Sequence, residues 1–134
     1  MTLGGGLGLY LHFSNGKPLP SGSSRLVLYQ TWVGHQSYTE GSRSYLTVAA
    51  DTGGSDTIGY IVMNPADPVF SKAVAPGRYT IKSWQRPCDA NCGNLGSVSD
   101  RCEGTFTVPA NQSTPLVVLL APGHGCKIKL RLHR

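Results

Sequence analysis

Apolar residues recur at every second position along much of this chain, and that spacing favours β-sheet over helix. Leu7, Leu9, Leu11 and Phe13 alternate with Gly8, Tyr10 and His12. Near the other end Ile128, Leu130 and Leu132 alternate with Lys127, Lys129, Arg131 and His133. A period of two sends successive side chains to opposite faces of a strand, whereas a helix needs apolar residues three and four apart. Between these ends, residues 26–33 are apolar on both faces (Leu26, Leu28 and Trp32 against Val27, Tyr29 and Val33), as in a central strand. Residues 45–50 and 58–63 flank a Gly-rich loop, 51–57. Tyr79 and Ile81 open a strand that ends near Cys88, Phe106 and Val108 mark the next, and 116–120 is a continuous apolar run. With 17 Gly and 9 Pro among 134 residues, turns must be frequent. The pattern predicts an all-β fold, an antiparallel β-sandwich of about seven to eight strands, over one domain, 1–134, with residues 1–6 as a Gly-rich flexible start.

Only 14% of residues are charged, against about 25% in typical soluble domains. Ser, Thr, Asn and Gln supply the polar surface instead, which suits an extracellular β domain. The net charge of +5 favours acidic partners. Met1-Thr2-Leu3 has no basic character and residues 7–13 are too short for a signal core, so the chain reads as the mature form of a secreted protein. No stretch reaches the ~20 apolar residues of a membrane span.

Four cysteines, Cys88, Cys92, Cys102 and Cys126, point to two disulfides. If the strand before Cys88 pairs antiparallel with the strand after Cys102, these two thiols flank one loop, and Cys126 returns to the same pole. This map favours Cys88–Cys102 and Cys92–Cys126, stapling a polar loop over residues 89–101. Zinc is the rival reading, with His124 nearby. Its structural sites usually use C-x2-C knuckles, whereas three residues separate Cys88 from Cys92. No metal and no cofactor are expected.

The stretch Val74-Ala75-Pro76-Gly77-Arg78-Tyr79-Thr80-Ile81 resembles the PGRYTV start of a strand in transthyretin-like (prealbumin-like) domains. These include the carboxypeptidase regulatory-like modules of secreted bacterial proteins. Phe106-Thr107-Val108 and Leu116-Val117-Val118-Leu119 are similar to the last strands of such modules. The resemblance covers residues 68–132, and neither the Cys-rich loop nor the segment before Asn64 belongs to it. It implies a seven- or eight-stranded sandwich, usually non-catalytic, often serving adhesion or assembly.

Catalytic motifs find little support. Asp51-Thr52-Gly53 is similar to the active-site loop of retroviral-type aspartic proteases, but those enzymes pair two such carboxylates, and Asp and Gly are ordinary hairpin-turn residues. There is no G-x-S-x-G elbow, and His12, His35, His124 and His133 lack ligand spacing. Binding has more material. The loop 34–43 carries His35, Gln36, Tyr38, Glu40 and Arg43 after Trp32, a mixture suited to glycans or peptides. There the alternative is a solvated loop with Trp32 and Tyr45 in the core. The second candidate is the loop 89–101 with Asn91, Asn94 and Arg101, next to Trp84 and Arg86. The third is a basic face, Lys127, Lys129 and Arg131, on a strand whose apolar face meets the core. Residues 4–13 could instead be a strand donated to a partner. Asn111-Gln112-Ser113 is a glycosylation sequon by pattern.

The expected function is a non-catalytic extracellular interaction module, an adaptor or subunit of a secreted or cell-surface assembly. The alternatives are a carbohydrate-binding module using Trp32, Tyr38 or Trp84, and a protease inhibitor presenting the Cys88-to-Cys102 loop. The expected partner is another extracellular protein, or an anionic or neutral glycan. Nucleic acid is not expected, because the basic residues are not interleaved with exposed aromatics.

Overall fold

The computed structural model describes residues 10–13, 17–34, 41–89 and 92–132. Among them it places ten strands and no helix, in two sheets arranged as a sandwich. Sheet A runs β1 (Tyr10–Phe13), β4 (Ser55–Tyr60), β3 (Ser42–Ala50), β6 (Gly77–Asp89) and β8 (Ser99–Val108), and the short β7 (Asn94–Leu95) pairs with the far end of β6. Sheet B runs β10 (Cys126–Leu130), β9 (Ser113–Leu120), β2 (Ser24–Trp32) and β5 (Phe70–Val74).

The alternation seen in the sequence is what assembles the core. Inward positions of β2 bury Leu26 and Leu28, those of β3 bury Leu46 and Val48, and those of β6 bury Tyr79 and Ile81. Leu116, Val118 and Leu120 of β9 complete the opposite wall. Each such side chain contributes about 1.5–3 kcal/mol when removed from water. Val117 is also nearly buried, as the continuous apolar run predicts. At the Pro76-Gly77 turn the Tyr79 hydroxyl donates to the Ala75 carbonyl at 2.5 Å and ties the start of β6 to the chain before it.

Several expectations need correction. β2 and β9 pair parallel, from Arg25↔Ser113 to Trp32↔Leu120, while every other described pairing is antiparallel. Six strands separate the two in sequence, so no hairpin dictates their direction, and side-chain period does not encode it. β5, between Pro68 and Pro76, is not among the strands that the sequence pattern marks. Its inward positions are Phe70, Lys72 and Val74, and Lys72 breaks the apolar pattern because it reaches Asp56 of β4 at 2.8 Å. Of the alternating residues at the C-terminal end, Ile128 packs on the core but Leu130 and Leu132 are 54% and 78% exposed. β10 is an edge strand that meets β8 near Cys126 and Ile128, where Gly104 makes room for the Phe106 ring: a Cβ there would sit 2.8 Å from that ring, and Ile128 Cβ would lie in ordinary contact at 3.8 Å. Leu130 and Leu132 lie beyond that cover.

The cysteine pairing also differs. The bridges are Cys88–Cys92 and Cys102–Cys126. Cys102 lies opposite Ser83, and β6 continues five residues further before Cys88. At the usual strand rise that is about 16 Å, too far for a disulfide, which needs Cα atoms roughly 4.4–6.8 Å apart. Cys126 starts β10 beside β8, with its Cα 5.4 Å from that of Cys102. The long bridge therefore joins the two sheets at one corner rather than closing the 89–101 loop. Asp100 reinforces that corner. It occupies a left-handed conformation (φ 51°) at a bulge where two residues of β8, Asp100 and Arg101, face one of β6, Trp84. Its carboxylate accepts from the Gly125 and Gly123 amides at 2.7 and 3.1 Å, holding the β9–β10 turn.

Candidate functional site

β2, β4 and β9 end, and β8 and β10 begin, at the same pole of the sandwich, while β6 runs on past them. The chain leaving these strand ends exposes Val33 (51%), Ile61 (45%), Met63 (73%) and Val98 (38%). An apolar group at such positions is costly in water, and grouped exposure is the usual mark of a contact surface.

Beneath this rim the core turns polar. The Tyr60 hydroxyl donates to Gln30 Oε1 at 2.6 Å, and Gln30 Nε2 donates to Ser44 Oγ at 3.0 Å. Ser44 Oγ then donates to Gln85 Oε1 at 2.7 Å, with Ser42 Oγ behind it at 3.3 Å. Gln30 belongs to sheet B and the others to sheet A, so the chain of bonds stitches the sheets together. Gln30 and Gln85 are wholly buried. Burial also pushes the Tyr60 phenol well above its ordinary pKa and keeps it a neutral donor. Trp32 Nε1, Arg43 Nε and Gln85 Nε2 are buried at this end and make no hydrogen bond.

The loop 89–101 is less free than expected. Cys88–Cys92 closes its first turn, and Cys88↔Leu95 and Asp89↔Asn94 pair it back on β6. Arg86 Nε donates to Gly96 O at 2.9 Å and Nη2 to Leu95 O at 3.4 Å. Arg86 thus holds the hairpin through two of its five N–H groups. Asn94 is exposed and lies in β7, and Asn91 lies outside the described residues.

The loop after Trp32 is shorter than expected at its far end, because β3 begins at Ser42 and Arg43 is a strand residue. His35, Gln36, Tyr38 and Glu40 lie outside the described residues, as do residues 1–9, on which the flexible start and part of the expected 7–13 strand fall. Trp32 and Trp84 do not share a face. Trp32 continues the inward parity of Leu26, Leu28 and Gln30, whereas Trp84 alternates with buried Ser83 and Gln85 and points outward from sheet A. The partner of Trp84 is Tyr45, its register neighbour on β3, stacked at 5.6 Å between centroids and 8° between planes. Tyr45 therefore leaves the core and lies on the outer face, half-buried. No sequence signal could have joined the two, because β4 and β5 intervene between their strands.

Arg101 is exposed on β8. Lys127 and Lys129 are exposed on β10, and Arg131 lies with its guanidinium carbon 3.9 Å from the Tyr29 ring centroid. Asp51 sits in the exposed β3–β4 turn, where Gly53 and Gly54 take φ of 107° and 97°. Asn111 is exposed and accepts from the Ser23 hydroxyl at 2.5 Å. Every cysteine sulfur is in a disulfide, and among the described residues no three His, Cys, Asp or Glu side chains gather where a metal could be held. The described residues contain no helix long and apolar enough to cross a membrane. No family model, curated protein or solved structure matches the chain.

Proposed function

We propose that this domain is a non-catalytic extracellular interaction module, an adaptor or subunit of a secreted or cell-surface assembly, and that its cysteine-bearing pole meets the protein partner. The observation that carries this reading is the exposure of Val33, Ile61, Met63 and Val98 at one end of the sandwich. The polar core beneath them is bonded across both sheets, so the rim rests on a rigid base that loses little entropy on binding. Buried donors with no acceptor of their own, Trp32 Nε1 and Gln85 Nε2, lie at the same end. Two disulfides fit an oxidising compartment, and the resemblance to transthyretin-like modules points the same way.

The test is affinity capture from the secretome of the source organism, with mass spectrometry. The native domain is compared with an Ile61→Asp/Met63→Asp pole variant and a Leu130→Asp/Leu132→Asp variant at the opposite end. One stoichiometric protein is expected with the native domain and the second variant, reduced about tenfold or more with the pole variant, since buried charge at an interface core costs more than 1.4 kcal/mol. Equal recovery by all three domains, or recovery of no protein partner, refutes the proposal.

A further inference from the structure

We propose that the outer face of sheet A binds a uronic-acid polysaccharide, with Tyr45 and Trp84 as the stacking platform and Arg43 and Arg86 as the carboxylate contacts. This goes beyond the protein-docking pole, since it uses the side of the sandwich rather than its end. Tyr45 and Trp84 lie parallel at the centre of that face. Their neighbour on β4 is Gly59, where a Cβ would come within 3.0 Å of the Tyr45 ring. The absent side chain lets the ring lie down over β4 and broadens the platform. Beside it, Thr47 and Thr57 join hydroxyls at 2.9 Å. Stacking takes one face of each ring, so a pyranose ring, whose C–H groups meet electron-rich ring faces, would pack on the outer side of the stack beside these hydroxyls.

The charge on this face selects among sugars. By strand alternation Arg43, Arg78, Lys82, Arg86 and Arg101 point outward with the two rings, against one carboxylate, Glu103, among the side chains described. Arg43 and Arg86 are direct register partners, and like charges placed opposite one another destabilise a sheet. The salt bridge among the described residues, Lys72–Asp56, lies on the inner side and relieves neither. An anion spanning the two guanidinium groups would. Arg43 makes no hydrogen bond through its buried Nε, and Arg86 keeps N–H groups beyond those on Leu95 and Gly96. A guanidinium fork takes a carboxylate through two parallel N–H···O bonds, and a uronate carries that carboxylate on the pyranose ring that would meet the aromatic stack.

Affinity electrophoresis through polygalacturonate, dextran sulfate and neutral dextran tests this. Polygalacturonate is expected to retard the native domain most. Trp84→Ala, Tyr45→Ala and Arg43→Gln should each weaken retardation about tenfold, the loss of one stacking or charge contact, while Lys127→Gln/Lys129→Gln on the other sheet should change it less than about twofold. Should a ring variant fail to fold, fluorescence of a Trp32→Phe variant reports Trp84 alone and should change on adding polygalacturonate. No retardation, equal or stronger retardation by dextran sulfate, insensitivity to Trp84→Ala, or a Trp84 signal that polygalacturonate leaves unchanged overturns the proposal.

Discussion

Replacing Cys102 and Cys126 by alanine lowers the free energy of unfolding by about 3.5 kcal/mol, and replacing Cys88 and Cys92 lowers it by about 2 kcal/mol. The two bridges span 24 and 4 residues of sequence, and in the chain-entropy model the longer loop restrains the unfolded state more. The folded state adds to the difference. β8 and β10 lie in different sheets with no backbone ladder between them, so the corner rests on the sulfurs and on the Asp100 carboxylate. Cys88–Cys92 closes a turn that β7 and Arg86 also hold. Against a total stability of about 5–15 kcal/mol, the first loss is large. Urea denaturation of the two double variants measures both. Equal losses, or the reverse order, would contradict this picture of the corner.

Replacing Gln30 by leucine costs about 3 kcal/mol despite similar volume. The substitution strips the Tyr60 hydroxyl of its acceptor and Ser44 of its donor inside the core, and each buried polar group left unpaired costs about 1–3 kcal/mol. Adding Tyr60→Phe to Gln30→Leu removes one orphan, so the double variant should be less destabilised than the sum of the singles, a coupling that chemical denaturation of the four proteins reads directly. The same tyrosine shapes the alkaline limit. Its pKa is raised in the folded state by burial, so above about pH 10 the unfolded chain gives up the phenolic proton while the folded one keeps it. The unfolded state then binds fewer protons, and stability falls as pH rises past that point. It is fully present below it. Tyr60→Phe should flatten the decline, and an unchanged alkaline slope in that variant would place its cause elsewhere.

What could be read from the sequence follows from what alternation encodes. Period two reports which face of a strand is buried and marks the strand of Ile128, while apolar runs on both faces mark those of Leu26 and Leu116. It does not report direction or neighbour, so the parallel β2–β9 pairing was invisible. It fails where an inward position is polar: Lys72 hid β5, and Gln30, Ser44 and Gln85 form the inter-sheet network while looking like ordinary surface residues in the sequence. The disulfide assignment failed on length. The sequence places Cys88 level with Cys102 at the mouth of one loop, but β6 runs five residues beyond the Ser83–Cys102 pair and carries Cys88 out of reach. The sequence offers Trp84 as a stacking residue with Trp32 or Tyr38, but its partner Tyr45 is set by the register of two strands that are not consecutive.

A non-reducing tryptic map tests the two-bridge framework most directly. Cleavage after Lys82, Arg101 and Lys127, with the Arg86-Pro87 bond intact, places Cys88 and Cys92 in one peptide and Cys102 and Cys126 in another. The structure predicts two separate peptides, each lighter by two hydrogens than its reduced form. A single species in which the two peptides are joined through sulfur would contradict it, and with it the corner that locks sheet A to sheet B.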